Sequence, residues 1–246
     1  MMPTGYEIWR GPSEIDGAPI VVVATVRSLN RKTGAMVQTW ILLTDESPTD
    51  AVRSGGDAAI CGSCRHRGDR RRGKARTCYV NVGHAPLAVW RTWHRGRYPV
   101  ASLADVLAAH PLPLRIGAYG DPGAVPASVW AAARGVPRTG YTHRWRERPD
   151  LRTLCMASAD SVAEAAEAAA QGWRAFLVAP ADGPLPFVLP GEEDSRRIVA
   201  CPSVTFGATC AACKLCDGAH DGEVRSRAPH IAIAAHGPAA RQFLGA

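Results

Sequence analysis

The sequence predicts an α/β fold in which strands alternate with helices, arranged as a partial (β/α) barrel or a wound parallel sheet. Two observations support this prediction. Apolar segments with the lengths of strands and helices alternate across residues 114–179, and the connections between them are short. The chain has 246 residues, of which 46% are hydrophobic and 21% charged, so we expect one sizeable core.

The chain begins with two predicted strands. A valine-rich segment covers residues 18–26, and a second apolar segment, 36–43, follows a turn-like stretch. Two strands joined by a short loop predict a hairpin. Residues 47–77 are rich in Gly, Asp and Arg and show no sustained period, so we expect a functional loop or one that a metal orders.

Regular elements follow. Helical spacing of apolar residues predicts helices over 85–94 and 101–110. A third helix, 161–171, takes Asp160 or Ser161 as its cap. The other predicted elements are strands at 114–119, 139–145, 154–158 and 173–179 and a helix at 126–135.

The composition changes near residue 183. We assign residues 1–182 to an α/β domain that contains the first cysteine loop, 54–84. Residues 183–246 are predicted to form a cysteine-rich C-terminal appendage that packs on the same domain. The appendage contains a short strand at 198–200 and a last apolar strand at 230–235.

Seven of the eight cysteines fall into two groups with short spacings. The first group is C-x2-C-x13-C and the second is C-x8-C-x2-C-x2-C; their members are Cys61, Cys64 and Cys78, and then Cys201, Cys210, Cys213 and Cys216. Without an export signal, such spacings indicate metal ligands rather than disulfides. The sequence therefore predicts two cysteine-rich metal-binding loops. Cys155 stands apart, within a predicted strand, and we expect it in the core.

The second group favours an iron–sulfur cluster over zinc. Its C-x2-C-x2-C triplet surrounds one small volume, and Cys201 before Pro202 resembles the remote Cys-Pro ligand of ferredoxin-type clusters. Zinc, which takes four Cys or His ligands, is the alternative. The first group has three cysteines, so either His66 or His84 completes a zinc site, or one iron of a cluster stays open to a substrate or cofactor.

The net charge of +7 is concentrated in one loop. Seven bases and one acid between residues 65 and 76 give a local charge of +6; the bases are Arg65, Arg67, Arg70, Arg71, Arg72, Lys74 and Arg76. Such a patch attracts polyanions, and nucleic acid is the partner it predicts. The alternative is a solvated loop whose charge is balanced by acids elsewhere in the fold.

The carboxyl ends of the predicted parallel strands supply candidate catalytic residues. The candidates are Tyr119, Asp121 and His143. Asp121 precedes a proline and also fits a turn, and Asp160 at another strand end fits a helix cap.

The sequence argues against several classes of protein. The chain has no G-x4-G-K-[ST] loop, no H-E-x-x-H and no G-x-S-x-G, which argues against kinases, zincins and esterases. No apolar run reaches the roughly 18–20 residues of a membrane span, and the N-terminus lacks a signal peptide's apolar region. We therefore expect no membrane contact and a cytoplasmic location.

Several motifs resemble one family. Cys78-Tyr-Val-Asn81, Ala118-Tyr-Gly-Asp-Pro122, Gly140-Tyr-Thr-His143 and Gly172-Trp-Arg174, with the closing cysteine triplet, resemble a cysteine-rich family borne by phages and plasmids. The resemblance covers nearly the whole chain. Members of that family are similar in outline to radical S-adenosylmethionine enzymes, which combine a partial (β/α) barrel with three cysteines that hold an open cluster.

The resemblance implies roles for three sets of residues. Cys61, Cys64 and Cys78 would hold the reactive cluster. Gly120-Asp121-Pro122 would contact the amino group of S-adenosylmethionine, and the last four cysteines would hold an auxiliary cluster. The spacing of the first group is longer than the C-x3-C-x2-C of radical enzymes, and Tyr79 follows its last cysteine where those enzymes place an aromatic residue before it.

Two functional hypotheses follow. The first is an iron–sulfur enzyme, radical in type, that acts on or near nucleic acid through the basic loop. The alternative is a DNA- or RNA-binding protein of phage or plasmid replication whose loops are stapled by zinc, which contributes on the order of 10 kcal/mol to the folding of such sites.

Overall fold

Nine strands form the framework of the protein in the computed structural model, which describes residues 3–28, 30–69, 72–185, 188–189, 197–219, 228–237 and 239–243. The strands are β1 (Gly5–Pro12), β2 (Pro19–Thr25), β3 (Val37–Leu43), β4 (Leu114–Tyr119), β5 (Arg138–Thr142), β6 (Met156–Ala159), β7 (Ala175–Ala179), β8 (Ile198–Ala200) and β9 (His230–Ala234).

Short helices connect the strands. The α-helices are α1 (Pro48–Ser54), α2 (Ala58–Cys61), α3 (Ala85–His94), α4 (Leu103–Ala109), α5 (Val162–Ala170), α6 (Pro202–Thr205) and α7 (Cys210–Cys213). The 3₁₀ helices are Arg65–Arg67, Pro122–Ala124, Ala127–Gly135, Pro149–Leu151 and Ala240–Gln242. None of the helices described has both the length and the apolar character needed to cross a bilayer.

The strands belong to one mixed sheet with the order β1-β2-β3-β4-β5-β6-β7-β9-β8. The first three strands pair antiparallel, and the predicted hairpin is formed by β2 and β3. All other pairs are parallel. The predicted α/β class is therefore confirmed, and the sheet is open, with β1 and β8 at its edges.

Strand β1 was not predicted. Its side chains alternate between buried and partly exposed only over the first residues, and Glu7 interrupts the apolar pattern. The strand is held instead by its antiparallel pairing with the largely apolar, buried β2. Tertiary pairing thus overrides a weak local signal.

The predicted helix at 126–135 is present as Ala127–Gly135, and its geometry is 3₁₀ rather than α. Its buried residues are Trp130 and Ala133, three positions apart. Residues three apart eclipse each other in a 3₁₀ helix, so this geometry brings both onto the core. The indole of Trp130 also donates to the carbonyl of Pro122, at 3.2 Å, which fixes the segment beyond β4.

Helix α5 is capped by Ser161 and not by Asp160. The Ser161 hydroxyl accepts from the backbone N–H of Glu164, and Oε2 of Glu164 accepts from the N–H of Asp160 at 2.8 Å. This reciprocal arrangement satisfies the first turn of the helix. The carboxylate of Asp160 therefore takes no part in capping.

The two faces of the sheet contact different parts of the chain. One face packs on α5, through Ala159, Ala165, Ala169, Ala175, Leu177 and Ala232. On the other face, Met156 and Ile231 pack with Cys216, next to Tyr141, Leu215, Phe176, Val199 and Cys201. We call this second face of β5–β9 the cysteine face. Alternation of side chains along each strand explains the division.

The segment beyond residue 183 is part of the same sheet. Strand β9 pairs with β7 over four residues, and β8 pairs with β9. Cys155 lies in the core with no exposed surface, as predicted.

A buried glutamate joins β1 to α3. Glu7 accepts a hydrogen bond from the indole of Trp93 at 2.6 Å and pairs with Arg10 at 2.7 Å. Burial opposes ionisation of Glu7, but the hydrogen bonds from Arg10 and Trp93 outweigh it, and its pKa lies below the ordinary value. The folded protein therefore stabilises the ionised form of Glu7 more than the unfolded chain does.

We expect Glu7→Gln to lower the free energy of unfolding near neutral pH. A lowered pKa contributes stability that is present above the unfolded carboxyl pKa of 4.5 and is lost as the pH falls through the folded value. The difference in unfolding free energy between wild type and variant should therefore shrink in acid. Urea unfolding from about pH 7 to about pH 3 measures it. The exposed Glu14→Gln is the control, and a gap that stays constant with pH would contradict the assignment.

Candidate metal centres

Chemistry-bearing residues collect where the parallel strands end. His143 directly follows β5, Asp160 directly follows β6, and Cys201 directly follows β8. The carboxyl ends of parallel strands lie at one edge of a sheet, so these residues share that edge. The strand ends predicted as a candidate site are thus brought together.

The three cysteines of the first group approach one another beside this edge. Cys61 ends α2, Cys64 precedes the 3₁₀ turn Arg65–Arg67, and the thiols of Cys64 and Cys78 act electrostatically on Cys61. The Sγ atom of Cys64 lies 3.8 Å from Nε2 of His143. Burial raises the pKa of Cys61 and of Cys78, which is the opposite of an activated thiol nucleophile.

A buried carboxylate anchors the loop between these cysteines. Asp57 is 2% exposed and pairs with Arg67 at 3.1 Å and Arg76 at 3.4 Å. Burial raises the pKa of Asp57, while the two guanidinium groups act to lower it. Arg67 and Arg76, both predicted to bind nucleic acid, are therefore used inside the protein to hold the stem of the basic loop.

The other bases of the loop have different positions. Arg65, Arg72 and Lys74 are exposed. The side chain of Arg72 is 87% exposed, and its nearest acid, Asp69, lies 3.7 Å away. Arg70 and Arg71 lie outside the described residues.

Tyr119 is buried next to the first group. Its hydroxyl and Nη2 of Arg76 are buried and have no hydrogen-bond partner among the residues described. Cys61, Arg76 and Cys78 all act electrostatically on Tyr119, and burial raises its pKa well above the ordinary value. Buried polar atoms are paired in more than about 90% of cases, so two donors without a partner near Cys61 and Cys78 require an explanation.

Asp121 serves as a structural acceptor. Its Oδ1 accepts from Gly123 N at 2.8 Å and Thr142 Oγ1 at 2.7 Å, and its Oδ2 accepts from His143 N at 2.7 Å. Its own N–H donates to the carbonyl of Ile60, which precedes Cys61. Because three donors occupy a carboxylate that is 7% exposed, we assign Asp121 to positioning rather than to catalysis.

Two histidines face one carboxylate at the strand ends. Nε2 of His66 lies 3.0 Å from Oδ1 of Asp160, and Nε2 of His143 lies 3.7 Å from the same oxygen. Burial works to lower the pKa of His143, but Cys64 and Asp160 outweigh it and raise that pKa. Burial works to raise the pKa of Asp160, but the two histidines lower it.

The second group of cysteines covers the cysteine face. Cys201 leaves β8, Cys210 and Cys213 bound α7, and Cys216 is buried against Met156 and Ile231. Cys201 and Cys210 act electrostatically on Cys216, and burial raises the pKa of Cys216 to about 12. The four predicted ligands are thus gathered in one region.

Backbone contacts fix this segment on the sheet. The carbonyl of Cys216 accepts from Gly140 N at 3.0 Å, and the N–H of Cys210 donates to Lys32 O at 3.0 Å. Buried Arg174 donates to the carbonyls of Leu215 and Gly218 and pairs with Asp217. The guanidinium therefore holds the loop that carries Cys216.

A second buried arginine lies between the two groups. Nη2 of Arg115 donates to the hydroxyl of Tyr79 at 2.8 Å, and its guanidinium lies 5.7 Å from the ring centroid of Tyr141. Tyr141 hydrogen-bonds Cys216, and Tyr79 follows Cys78 in the chain. Burial opposes the charge of Arg115, but nearby phenols and thiols outweigh it, and its pKa is raised.

No three cysteine sulfurs in the described part of the chain lie within 4.8 Å of one another. All eight cysteines are free thiols. The described residues include every cysteine. Among them, three ligand atoms lie within 4.8 Å of one another at one place, and these belong to His66, His143 and Asp160. Two thiolates on one tetrahedral zinc lie only about 3.8 Å apart, given Zn–S bonds of about 2.3 Å.

Sequence reasoning did not select Asp160. The signal was present, because Ser161 and Glu164 form a capping box that leaves Asp160 without a capping role. His66 was considered only as a zinc ligand, together with His84, which is exposed at the start of α3. Arg115 and Arg174 carried no sequence signal, because their roles depend on contacts between distant segments.

Comparison of the chain with models of protein families, with curated proteins and with solved structures finds no match.

We expect Asp121→Asn to destabilise the protein by about 1–3 kcal/mol. An amide supplies one acceptor oxygen, so its NH₂ would face the N–H of His143 and leave a buried donor unpaired. The midpoint of urea unfolding measures the change. The exposed Asp45→Asn is the matched control. Equal midpoints for wild type and Asp121→Asn would show that the carboxylate does not hold the strand ends.

Proposed function

We propose that this protein is an iron–sulfur protein with two clusters. Cys61, Cys64 and Cys78 hold the first, and the four cysteines between residues 201 and 216 hold the second. Both groups consist of free thiols that the fold gathers from separate segments. The proposal rests on the chemistry of the residues around these thiols.

The unpaired donors beside the first group carry the proposal. The Tyr119 hydroxyl and Nη2 of Arg76 lie next to Cys61 and Cys78 and find no acceptor in the described part of the chain. An iron–sulfur cluster presents sulfide and thiolate sulfurs, which accept such hydrogen bonds and are tuned by them. A cluster at this position would therefore satisfy both donors.

The spacing of the sulfurs supports iron–sulfur clusters over single zinc ions. No three cysteine sulfurs of the described chain lie within 4.8 Å of one another. One zinc ion would draw its sulfur ligands to about 3.8 Å. The thiolates of a cubane cluster bind different iron atoms and stand farther apart than the ligands of one zinc ion.

The number of cysteines distinguishes the two centres. The second group supplies four thiolates, which is a full set for a [4Fe–4S] cluster. The first supplies three, which leaves one iron for a substrate or cofactor, at the strand ends where chemistry occurs in open α/β sheets. We therefore propose the first centre as the reactive one.

Metal analysis of anaerobically purified protein tests the proposal. We expect a brown protein with broad visible absorbance, about eight irons and about eight acid-labile sulfides per chain. Cys213→Ser should remove about half of both. Cys155→Ala changes a buried cysteine outside both groups and should leave both unchanged. A colourless protein with stoichiometric zinc and no sulfide would overturn the proposal in favour of zinc staples.

The exposed part of the basic loop suggests the class of substrate. The pairs of Asp57 with Arg67 and Arg76 fix the stem beside the first centre, while Arg72 and Lys74 are solvent-exposed. Cations held at the mouth of a site attract phosphates without competing for its ligands. We propose that the reactive centre acts on or near nucleic acid.

Replacing Arg72 and Lys74 by alanine should weaken binding to a short DNA duplex. The slope of log K against log salt concentration should become shallower by about 1–2, since each phosphate contact contributes about 0.9. Fluorescence anisotropy across a salt series measures both. Arg95 and Arg97 are exposed at the end of α3, and their double alanine variant is the charge-matched control. Equal slopes for the two double variants would remove the loop from the proposed interface.

A further inference from the structure

We infer a separate mononuclear metal site, for one divalent transition-metal ion, at His66 Nε2, His143 Nε2 and Asp160 Oδ1. These three atoms all lie within 4.8 Å of one another at the ends of β5 and β6. The inferred ion does not use the cysteines of the proposed clusters. It can therefore be tested independently of them.

The distances match ligands that share one ion. His66 Nε2 lies 3.0 Å and His143 Nε2 lies 3.7 Å from Oδ1 of Asp160. With metal–nitrogen and metal–oxygen bonds of about 2.1 Å, two ligands of a tetrahedral ion lie about 3.4 Å apart. The observed values lie on either side of that spacing, so small side-chain rotations place all three atoms on one ion.

Hydrogen bonding alone explains only part of this arrangement. The contact of 3.0 Å between His66 and Asp160 has hydrogen-bond length, but 3.7 Å from His143 is too long for one. The other neighbour of His143 Nε2 is the sulfur of Cys64 at 3.8 Å. That contact is a long hydrogen bond to sulfur, so only the approach of His143 to the carboxylate, at 3.7 Å, is left for a shared ion to explain.

Neighbouring residues orient the ring of His66, fix the backbone of His143 and leave the carboxylate of Asp160 free of a capping role. Nδ1 of His66 lies 2.8 Å from Oγ1 of Thr77, and with an ion on Nε2 this nitrogen donates its proton to the hydroxyl. The backbone N–H of His143 is held by Asp121, and Ser161 caps α5 so that Asp160 does not. Such supporting contacts are typical of metal-binding histidines and carboxylates.

The ligand set indicates the class of ion. Two imidazoles and one carboxylate suit zinc, iron(II) and related ions, and three protein ligands leave a position for water or substrate. Asp160 is 2% exposed and His66 is 12% exposed, whereas His143 is 23% exposed. Access to the inferred ion is therefore from the side of His143, next to Cys64.

Cobalt(II) binding to the anaerobically purified, chelator-treated full chain tests the inference. We expect one Co²⁺ per chain. The spectrum of the cobalt-loaded protein minus that of the cobalt-free protein should show visible d–d bands and no sulfur-to-cobalt charge-transfer band in the near ultraviolet. His66→Gln, His143→Gln and Asp160→Asn should each raise the Kd at least about 100-fold, and Thr77→Val about tenfold, since losing a supporting contact costs 10–100-fold. His84→Gln alters an exposed histidine and should bind cobalt like wild type.

Two results would overturn the inference. One is a Kd for Co²⁺ that is the same in wild type, His143→Gln and Thr77→Val. Thr77→Val keeps all three ligands, so it still tests the inference if a ligand variant fails to fold. The other is cobalt absorption dominated by a sulfur charge-transfer band that disappears in Cys61→Ser. Acid-labile sulfide measured on the same samples reports the clusters separately, so the loss of one proposal is distinguishable from the loss of the other.

Discussion

The carboxylate of Asp121 determines where the first cysteine group stands relative to the strand ends. It accepts from Thr142 and His143 at the end of β5, while the N–H of Asp121 donates to the carbonyl just before Cys61. One residue therefore links β4, β5 and α2. The distance of 3.8 Å between Cys64 and His143 depends on this link, because two segments far apart in the chain must be fixed to the same point.

The second group depends on buried positive charge. Arg174 holds the loop of Cys216 through backbone carbonyls, and Arg115 lies between Tyr79 and Tyr141 beside Cys210 and Cys216. Thiolates that bind a metal retain negative charge, and buried charge is costly unless it is paired. Two guanidinium groups, Arg115 of β4 and Arg174 just before β7, offset that cost beside these cysteines.

Local patterns predicted most elements of the fold. The valine-rich hairpin, the strands of the parallel half and the helix after Ser161 all have strong periodic or capping signals. The 3₁₀ geometry of Ala127–Gly135 and the strand Gly5–Pro12 depend on packing and pairing instead. The spacing of the cysteines predicted two groups, whereas the contact between His66 and Asp160 joins residues 94 positions apart and has no local signal. Such a contact follows from strand order, which local sequence does not encode. Asp121 was expected to be catalytic, but its carboxylate accepts from Gly123 in the adjacent turn and from Thr142 and His143 at the end of β5.

Anomalous diffraction from anaerobically grown crystals, with data collected on both sides of the iron edge, tests the central claim most directly. The account predicts two iron peaks, one at the strand ends among Cys61, Cys64 and Cys78 and one on the cysteine face among Cys201, Cys210, Cys213 and Cys216. Crystals in which those seven sulfurs lie apart from any anomalous peak, or are joined as disulfides, would contradict it.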